Sequence, residues 1–338
     1  MPDFPILLLV VIVVALIFDF TNGVQDSANA IATVVSTKVL SPRTAVLMAA
    51  ALNLLGALLG EQVATTLGSG ILQANVVASS QILVLSALIG GIAWNVITWY
   101  FGIPSSCSHA LIGGLMGAAI AFTGFNALNG PSIVSKVLIP IVVSPLAGFG
   151  VGFLLMSLIT ILFWRSNRRN VSGIFHKLQI ASAGLMATSH GLNDAQKTMG
   201  VITLALFTFG QIETIHVPLW VKIVCALAMA LGTAVGGWRI VKTMGHKIFK
   251  LEPVHGFAAE TSAAMVIAGA SFLGAPVSTT HTITASICGV GSTKRLSAVH
   301  WGVAGHLVIA WLLTIPCSAA IGAISYAILH ALGLEALG

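Results

Sequence analysis

The sequence predicts an all-α polytopic membrane protein made of two inverted repeats of about five membrane segments each. Of its 338 residues, 57% are hydrophobic and only 7% are charged, and the mean hydropathy is +1.01. A soluble domain of average composition carries roughly 25% charged residues, so this chain has too few to clothe a water-facing surface. Apolar runs that reach about 20 residues, enough to cross a hydrocarbon core about 30 Å thick, recur from end to end. Basic residues sort to one side of the path, and three pairs of motifs recur in the same order.

Apolar stretches between polar breaks set the spans at 5–37, 44–68, 81–101, 106–124 and 134–163, then 178–207, 219–238, 257–274, 278–292 and 299–330. The first has no basic residue before it and no small-residue cleavage site closing it, so it is expected to be retained rather than removed as a signal peptide. The runs 134–163 and 299–330 exceed one upright helix. With Pro140, Pro145 and Pro316 inside them, each is expected to be kinked, tilted or broken.

Placing the amino terminus outside and alternating puts 38–43, 102–109, 164–177, 239–256 and 293–298 inside. These connections hold Lys38, Arg43, Arg165, Arg168, Arg169, Lys177, Arg239, Lys242, Lys247, Lys250, Lys294 and Arg295, twelve of the 15 basic residues. The outside connections 69–80, 125–133 and 208–218 hold none, as the positive-inside rule requires in a cell membrane. The formal net charge of +6 is thereby explained without a nucleic-acid partner. The polar stretch 164–177 is expected to be a cytoplasmic basic linker between repeats 1–163 and 178–338. Cys107, Cys225, Cys288 and Cys317 are isolated in apolar surroundings and form no C-x-x-C pair, which makes them apolar packers rather than a metal or disulfide framework.

Five spans per half is an odd number, so the second half starts from the opposite side and any repeat is inverted. The repeat is written in the residues. Asn22-Gly23-Val24-Gln25-Asp26 answers His190-Gly191-Leu192-Asn193-Asp194, and Gly56-x-x-x-Gly60 answers Gly232-x-x-x-Gly236. Gly102-Ile103-Pro104-Ser105-Ser106-Cys107-Ser108-His109 answers Gly274-Ala275-Pro276-Val277-Ser278-Thr279-Thr280-His281. The offsets are 168, 176 and 172 residues.

An ionisable group at bilayer depth costs several kcal/mol unless it has a partner or faces a cavity. Asp26 and Asp194 are therefore the most informative residues, each lying in an apolar span beside Gly and side-chain amides. With Asn22, Asn29 and Asn193, they offer oxygen ligands for a small cation; the alternative is a carboxylate satisfied by a neighbouring helix. Glu260, acidic and unmatched in the first half, joins the cation set as a ligand or proton carrier, or is held structurally. Asp19 and Glu61 lie nearer span ends and are expected to be structural. The paired Pro-hydroxyl runs end one helix and open the next, so their N–H groups and partial positive charge suit an oxyanion. Ser105, Ser106, Ser108, Ser278, Thr279 and Thr280 are the anion candidates, joined by Gln25, Gln196 and Lys197. Ordinary N-capping accounts for some of these hydroxyls as well. Lys197 stands where the first half has Asn29, and either pairs with Asp194 or contacts the anion. His109 and His281 donate to the anion, relay protons or cap backbone. The glycine pairs favour close helix packing.

These residues resemble the inorganic phosphate transporter (PiT) family. The segment from Phe18 to Ala30 is similar to the family's first-half signature, and the segment from Ser189 to Lys197 to the second-half signature of bacterial members. The likeness covers essentially the whole chain. It implies broken helices and two re-entrant helical hairpins with tips at 104–109 and 276–282. It also implies phosphate as substrate, sodium or proton as coupling ion, no other cofactor, and a homodimer. The sequence departs from the pattern at Gln25, where the Gly-x-Asn-Asp form is met only in the second half, and at Lys197. The expected activity is a secondary symporter. Its alternatives are a sulfate permease of the same fold, an anion channel, or an intramembrane aspartyl hydrolase using Asp26 and Asp194. No nucleotide-binding motif supports a primary pump.

Overall fold

In a computed structural model, the described residues are 5–68, 80–214 and 216–334, so the expected outside connection 69–80 lies almost wholly outside them. All regular elements among the described residues are helices. They run α1 Ile6–Ser36, α2 Pro42–Leu58, α3 Gln62–Gly68, α4 Gln81–Phe101, α5 Cys107–Thr123 and α6 Gly130–Leu162. A second set follows: α7 Arg168–Thr208, α8 Leu219–Val235, α9 Trp238–Lys247, α10 Pro253–Phe272, α11 Thr279–Lys294 and α12 Trp301–Ala331. The two sets match in order down to the short 3₁₀ turns Phe125–Ala127 and Leu296–Ala298 that follow α5 and α11. The chain is an all-α polytopic membrane protein.

By length and composition α1, α4, α6 and α12 are long and apolar enough to cross a membrane, and the bent pair α8 and α9 passes the same test only when its two helices are taken together. α5 and α11 have 17 and 16 residues; at about 1.5 Å per residue they fall short of a full crossing. Several expected spans come out differently. The run 44–68 is interrupted at residues 59–61, and 219–238 bends by 58° at Gly236 and Gly237. Gly236 takes φ +79, a conformation open to glycine without strain. The expected linker is helical from Arg168, where the Asn167 side chain accepts from the Arg169 N–H at 3.0 Å, and it continues into the next span as one 41-residue helix. Polar side chains at a membrane surface are solvated without any need for the backbone to unwind. Pro316 lies inside an α12 that runs unbroken, while a π turn at Val134–Leu138 precedes Pro140 in α6.

Two apolar cores sandwich a polar layer. α1 enters the first core with residues 7–18 and the second with 28–34, whereas α7 meets the second at Ala183, Met186 and Ala187 and the first from Ala195 onward. The two helices therefore run antiparallel, with Asp26 and Asp194 between the cores. Each half also clasps the other. α12 packs on α5 and α6 on α11, at matched close approaches: a Cβ on Gly117 would lie 1.9 Å from the Ala319 carbonyl, and one on Gly289 2.1 Å from the Phe149 carbonyl. Gly56 and Gly232 meet facing backbone, at Thr188 and Phe20, in the way the small-residue spacing predicts.

Candidate functional site

Each hairpin turns by one device. Gly102 and Gly274 end α4 and α10 with φ +66 and +69, and each is followed by a proline two residues on. Ser106 and Ser278 then cap the next helix, each accepting from the N–H of the histidine three residues later at 3.2 Å. The capping reading of these two hydroxyls is correct, and each keeps its own O–H to donate. The two tips meet: the His109 and His281 rings lie 4.9 Å apart, and His281 stacks on Trp311 at 4.0 Å. Trp311 in turn donates to the Pro104 carbonyl at 3.1 Å, so α12 braces both tips.

The tips close against α1 and α7 where the carboxylates stand. Thr280 donates to Asp26 Oδ1 at 3.1 Å, and Thr279 to Asp194 Oδ2 at 3.0 Å. Asn29 donates to the hydroxyls of Thr279 and Thr280 at 3.1 and 3.0 Å. Gln25 Nε2 donates to the Ser105 hydroxyl at 2.8 Å and its carbonyl at 3.3 Å, and the Ser105 O–H donates to the Thr98 hydroxyl oxygen at 2.9 Å. Lys197 Nζ donates to Asp194 Oδ1, to the Ser108 hydroxyl and, at 3.1 Å, to the Val277 carbonyl. All of these residues are buried. Helix N-termini, neutral hydroxyls, two carboxylates and an ammonium thus converge between the two cores. Such an arrangement can hold a cation and an oxyanion side by side.

Other expected site residues take different places. The Gln196 carbonyl oxygen accepts from the N–H of Val63 at 2.7 Å, so this amide caps α3 beyond the break and does not face the tips. Asn193 donates to Ser271 at 2.8 Å, leaving its oxygen without a hydrogen bond. The oxygens of Asn22 and Gln25 are likewise buried and unbonded. Glu260 sits in a cluster of its own, receiving Thr33 at 2.5 Å, Gln179 at 3.1 Å and Ser182.

One central residue escaped the sequence reading. His190 Nε2 lies 3.2 Å from Asp194 Oδ2 and 3.9 Å from Asp26 Oδ2, with Nδ1 3.1 Å from Asn53. Asp26, His190 and Asp194 bring ligand atoms within 4.8 Å of one another, close enough for one metal ion. The available signal was position: His190 stands one helical turn before Asp194, as Asn22 stands before Asp26. Asp19, expected near a span end, is wholly buried beside Thr198.

The phosphate transporter family matches residues 22–322. A protein of Rhizobium meliloti (strain 1021) named probable low-affinity inorganic phosphate transporter is 51% identical over 322 residues, covering 95% of this chain and 96% of the relative. One of the same name from Bacillus subtilis (strain 168) is 47% identical over 326 residues, covering 96% and 98%. A solved structure titled "The sodium-dependent phosphate transporter" superposes with a TM-score of 0.89 at 26% identity, covering 96% of this chain and 99% of that one.

Proposed function

The chain belongs to the phosphate transporter family, and from that premise we propose that it carries inorganic phosphate into the cell together with a coupling cation, by alternating access. The observation that carries the reading is the meeting of two capped helix tips with two carboxylates from antiparallel helices in one buried layer. The phosphate lies against the tips, taking the O–H of Ser106 and Ser278 that capping leaves over, on the Gln25 side of the site. The cation lies against Asp26, with Asn22, Asn29 and Thr280 near it. The solved neighbour's title favours sodium; a proton on the carboxylate serves the same end. An inside-negative potential opposes anion entry by about 2.3 kcal/mol per charge per 100 mV, and the cation offsets that cost.

The matched element order and the antiparallel α1 and α7 support two inverted repeats, 1–163 and 178–338. These halves rock about the midplane to open the site to either side. Of the membrane, we propose the inner cell membrane, with the amino terminus outside. A homodimer, implied by the family resemblance, belongs to the same proposal and is read from the mass of the detergent-solubilised protein. Alternating access is favoured over a channel because the described residues of the layer are buried, with no continuous open path to water through them. The intramembrane hydrolase gives no role to the tips, and His190 stands between the carboxylates it would need in direct contact.

Labelled phosphate uptake into proteoliposomes tests this, under imposed sodium or proton gradients and with excess sulfate as competitor. Saturable uptake driven by one gradient and indifferent to sulfate is expected. Sulfate accumulation without phosphate uptake moves the substrate, and uptake that ignores both gradients points to a channel.

A further inference from the structure

Superposing the motif pairs by their offsets sets two cages side by side. In the first, Asp26 receives the Thr280 hydroxyl at 3.1 Å, and Asn29 sits against that same hydroxyl at 3.0 Å. In the second, the matching positions are Asp194, Ser108 and Lys197. Here the Lys197 ammonium bridges the carboxylate and the hydroxyl and reaches a third oxygen, the Val277 carbonyl, at 3.1 Å. Val277 answers Ser105 in the first tip, whose carbonyl accepts from Gln25 at 3.3 Å. A lysine ammonium has three N–H donors, and here a carboxylate, a hydroxyl and a backbone carbonyl take all three. None is left for an anion. The set is also the oxygen mixture that a small hard cation selects.

We infer that Lys197 is a tethered cation filling the second of two matching cages, so that phosphate moves with one mobile cation, held at Asp26, where two open cages would take two. The inference rests on the symport reading and adds its stoichiometry and the residue that sets it. It accounts for a lysine wholly buried at membrane depth: the position requires a positive charge, and the side chain supplies it permanently. In this arrangement Asp194 stays neutralised through the whole cycle, and only the Asp26 cage loads and empties.

The substitution Lys197→Asn rebuilds the second cage in the composition of the first and takes the ammonium from Asp194 Oδ1, leaving His190 and Thr279 on Oδ2. The variant then requires a free cation there. Two measurements read it. Thermal unfolding of purified protein, in sodium chloride against N-methylglucamine chloride at equal ionic strength, is expected to show a sodium-dependent rise in Tm for the variant well beyond that of the wild type, since a ligand that binds only the folded state stabilises it. The coupling ratio of reconstituted protein, taken from the gradient at which net phosphate flux vanishes, is expected at about one cation per phosphate in the wild type and about two in the variant, with the Hill coefficient for sodium rising in step. A wild-type ratio of two, or a variant that transports with an unchanged ratio and no sodium effect on Tm, overturns the inference. If the variant does not fold, the wild-type ratio alone decides. Absence of phosphate flux in the wild type under every gradient would instead remove the symport reading, and the sodium response of Tm would still test the cage.

Discussion

The Thr280 hydroxyl at the tip of the second hairpin donates to Asp26 on α1 at 3.1 Å, across 254 residues of chain. A helix of the first half thus holds its carboxylate against a tip of the second, and the proposed transport cycle couples cation loading at Asp26 to the tip through this contact. Replacing Thr280 with Val keeps the shape and removes the donor. Phosphate uptake is expected to need roughly tenfold more cation for half-maximal rate, the size of one hydrogen bond to a charged group. Uptake titrated against sodium or proton concentration checks it.

Asp26→Asn and Asp194→Asn are expected to separate. Both abolish cation-driven uptake while the protein still inserts. Only Asp194→Asn leaves the Lys197 ammonium buried and unpaired, which costs about 3–5 kcal/mol of stability. Thermal unfolding alongside uptake distinguishes them, and equal destabilisation of the two would contradict the assignment of Lys197 to Asp194.

Ser106 uses its oxygen to cap α5 and keeps its O–H, which the proposed function gives to the anion. Ser106→Ala is expected to raise the phosphate Kd about tenfold, combining a lost cap with a lost charge-assisted donor. Cation affinity measured without phosphate stays as in the wild type. Calorimetric titration of each ligand reads the difference.

Glu260 receives three donors, from Thr33, Gln179 and Ser182. Thr33 lies seven residues beyond Asp26 on α1, about 10 Å along the helix axis, so this cluster stands apart from the tip site. Glu260→Gln turns an amide toward those donors and is expected to lower stability by about 1–3 kcal/mol and to slow driven uptake. Phosphate affinity in detergent is expected to hold, and loss of that affinity would place Glu260 in the anion site after all.

The interlocked halves depend on Gly117 and Gly289. A methyl at either meets a backbone carbonyl of the clasping helix, and overpacking of this kind costs about 1–3 kcal/mol. Gly150→Ala, with nothing within 4 Å of the added carbon, is expected to be neutral or stabilising by up to about 1 kcal/mol through helix propensity. Melting temperatures of the three variants check this.

Asp26 and Asp194 were legible because a carboxylate in an apolar run is rare, and a second copy at a fixed offset is rarer. The hairpin tips were legible because proline and hydroxyl runs mark a helix end and a helix start together. Gln196 was misplaced because the break at residues 59–61 shows in sequence only as Gly60 beside Glu61, so nothing announced the α3 terminus that its amide caps. His190 gives no such signal, since a histidine beside glycine reads as packing until a fold sets it between two carboxylates. Gln179 and Ser182 were beyond reach for a different reason: their partner, Glu260, lies about eighty residues away (81 and 78), and only helix packing brings them together.

The central claim is that anion and cation share one buried layer and bind together. The most direct measurement is equilibrium binding of labelled phosphate to the purified protein across a series of sodium concentrations and pH values, paired with cation binding across a series of phosphate concentrations. The account predicts that phosphate affinity rises with the coupling cation and that cation affinity rises with phosphate by the same factor, as linkage requires. Phosphate affinity that is flat in both sodium and pH would contradict it.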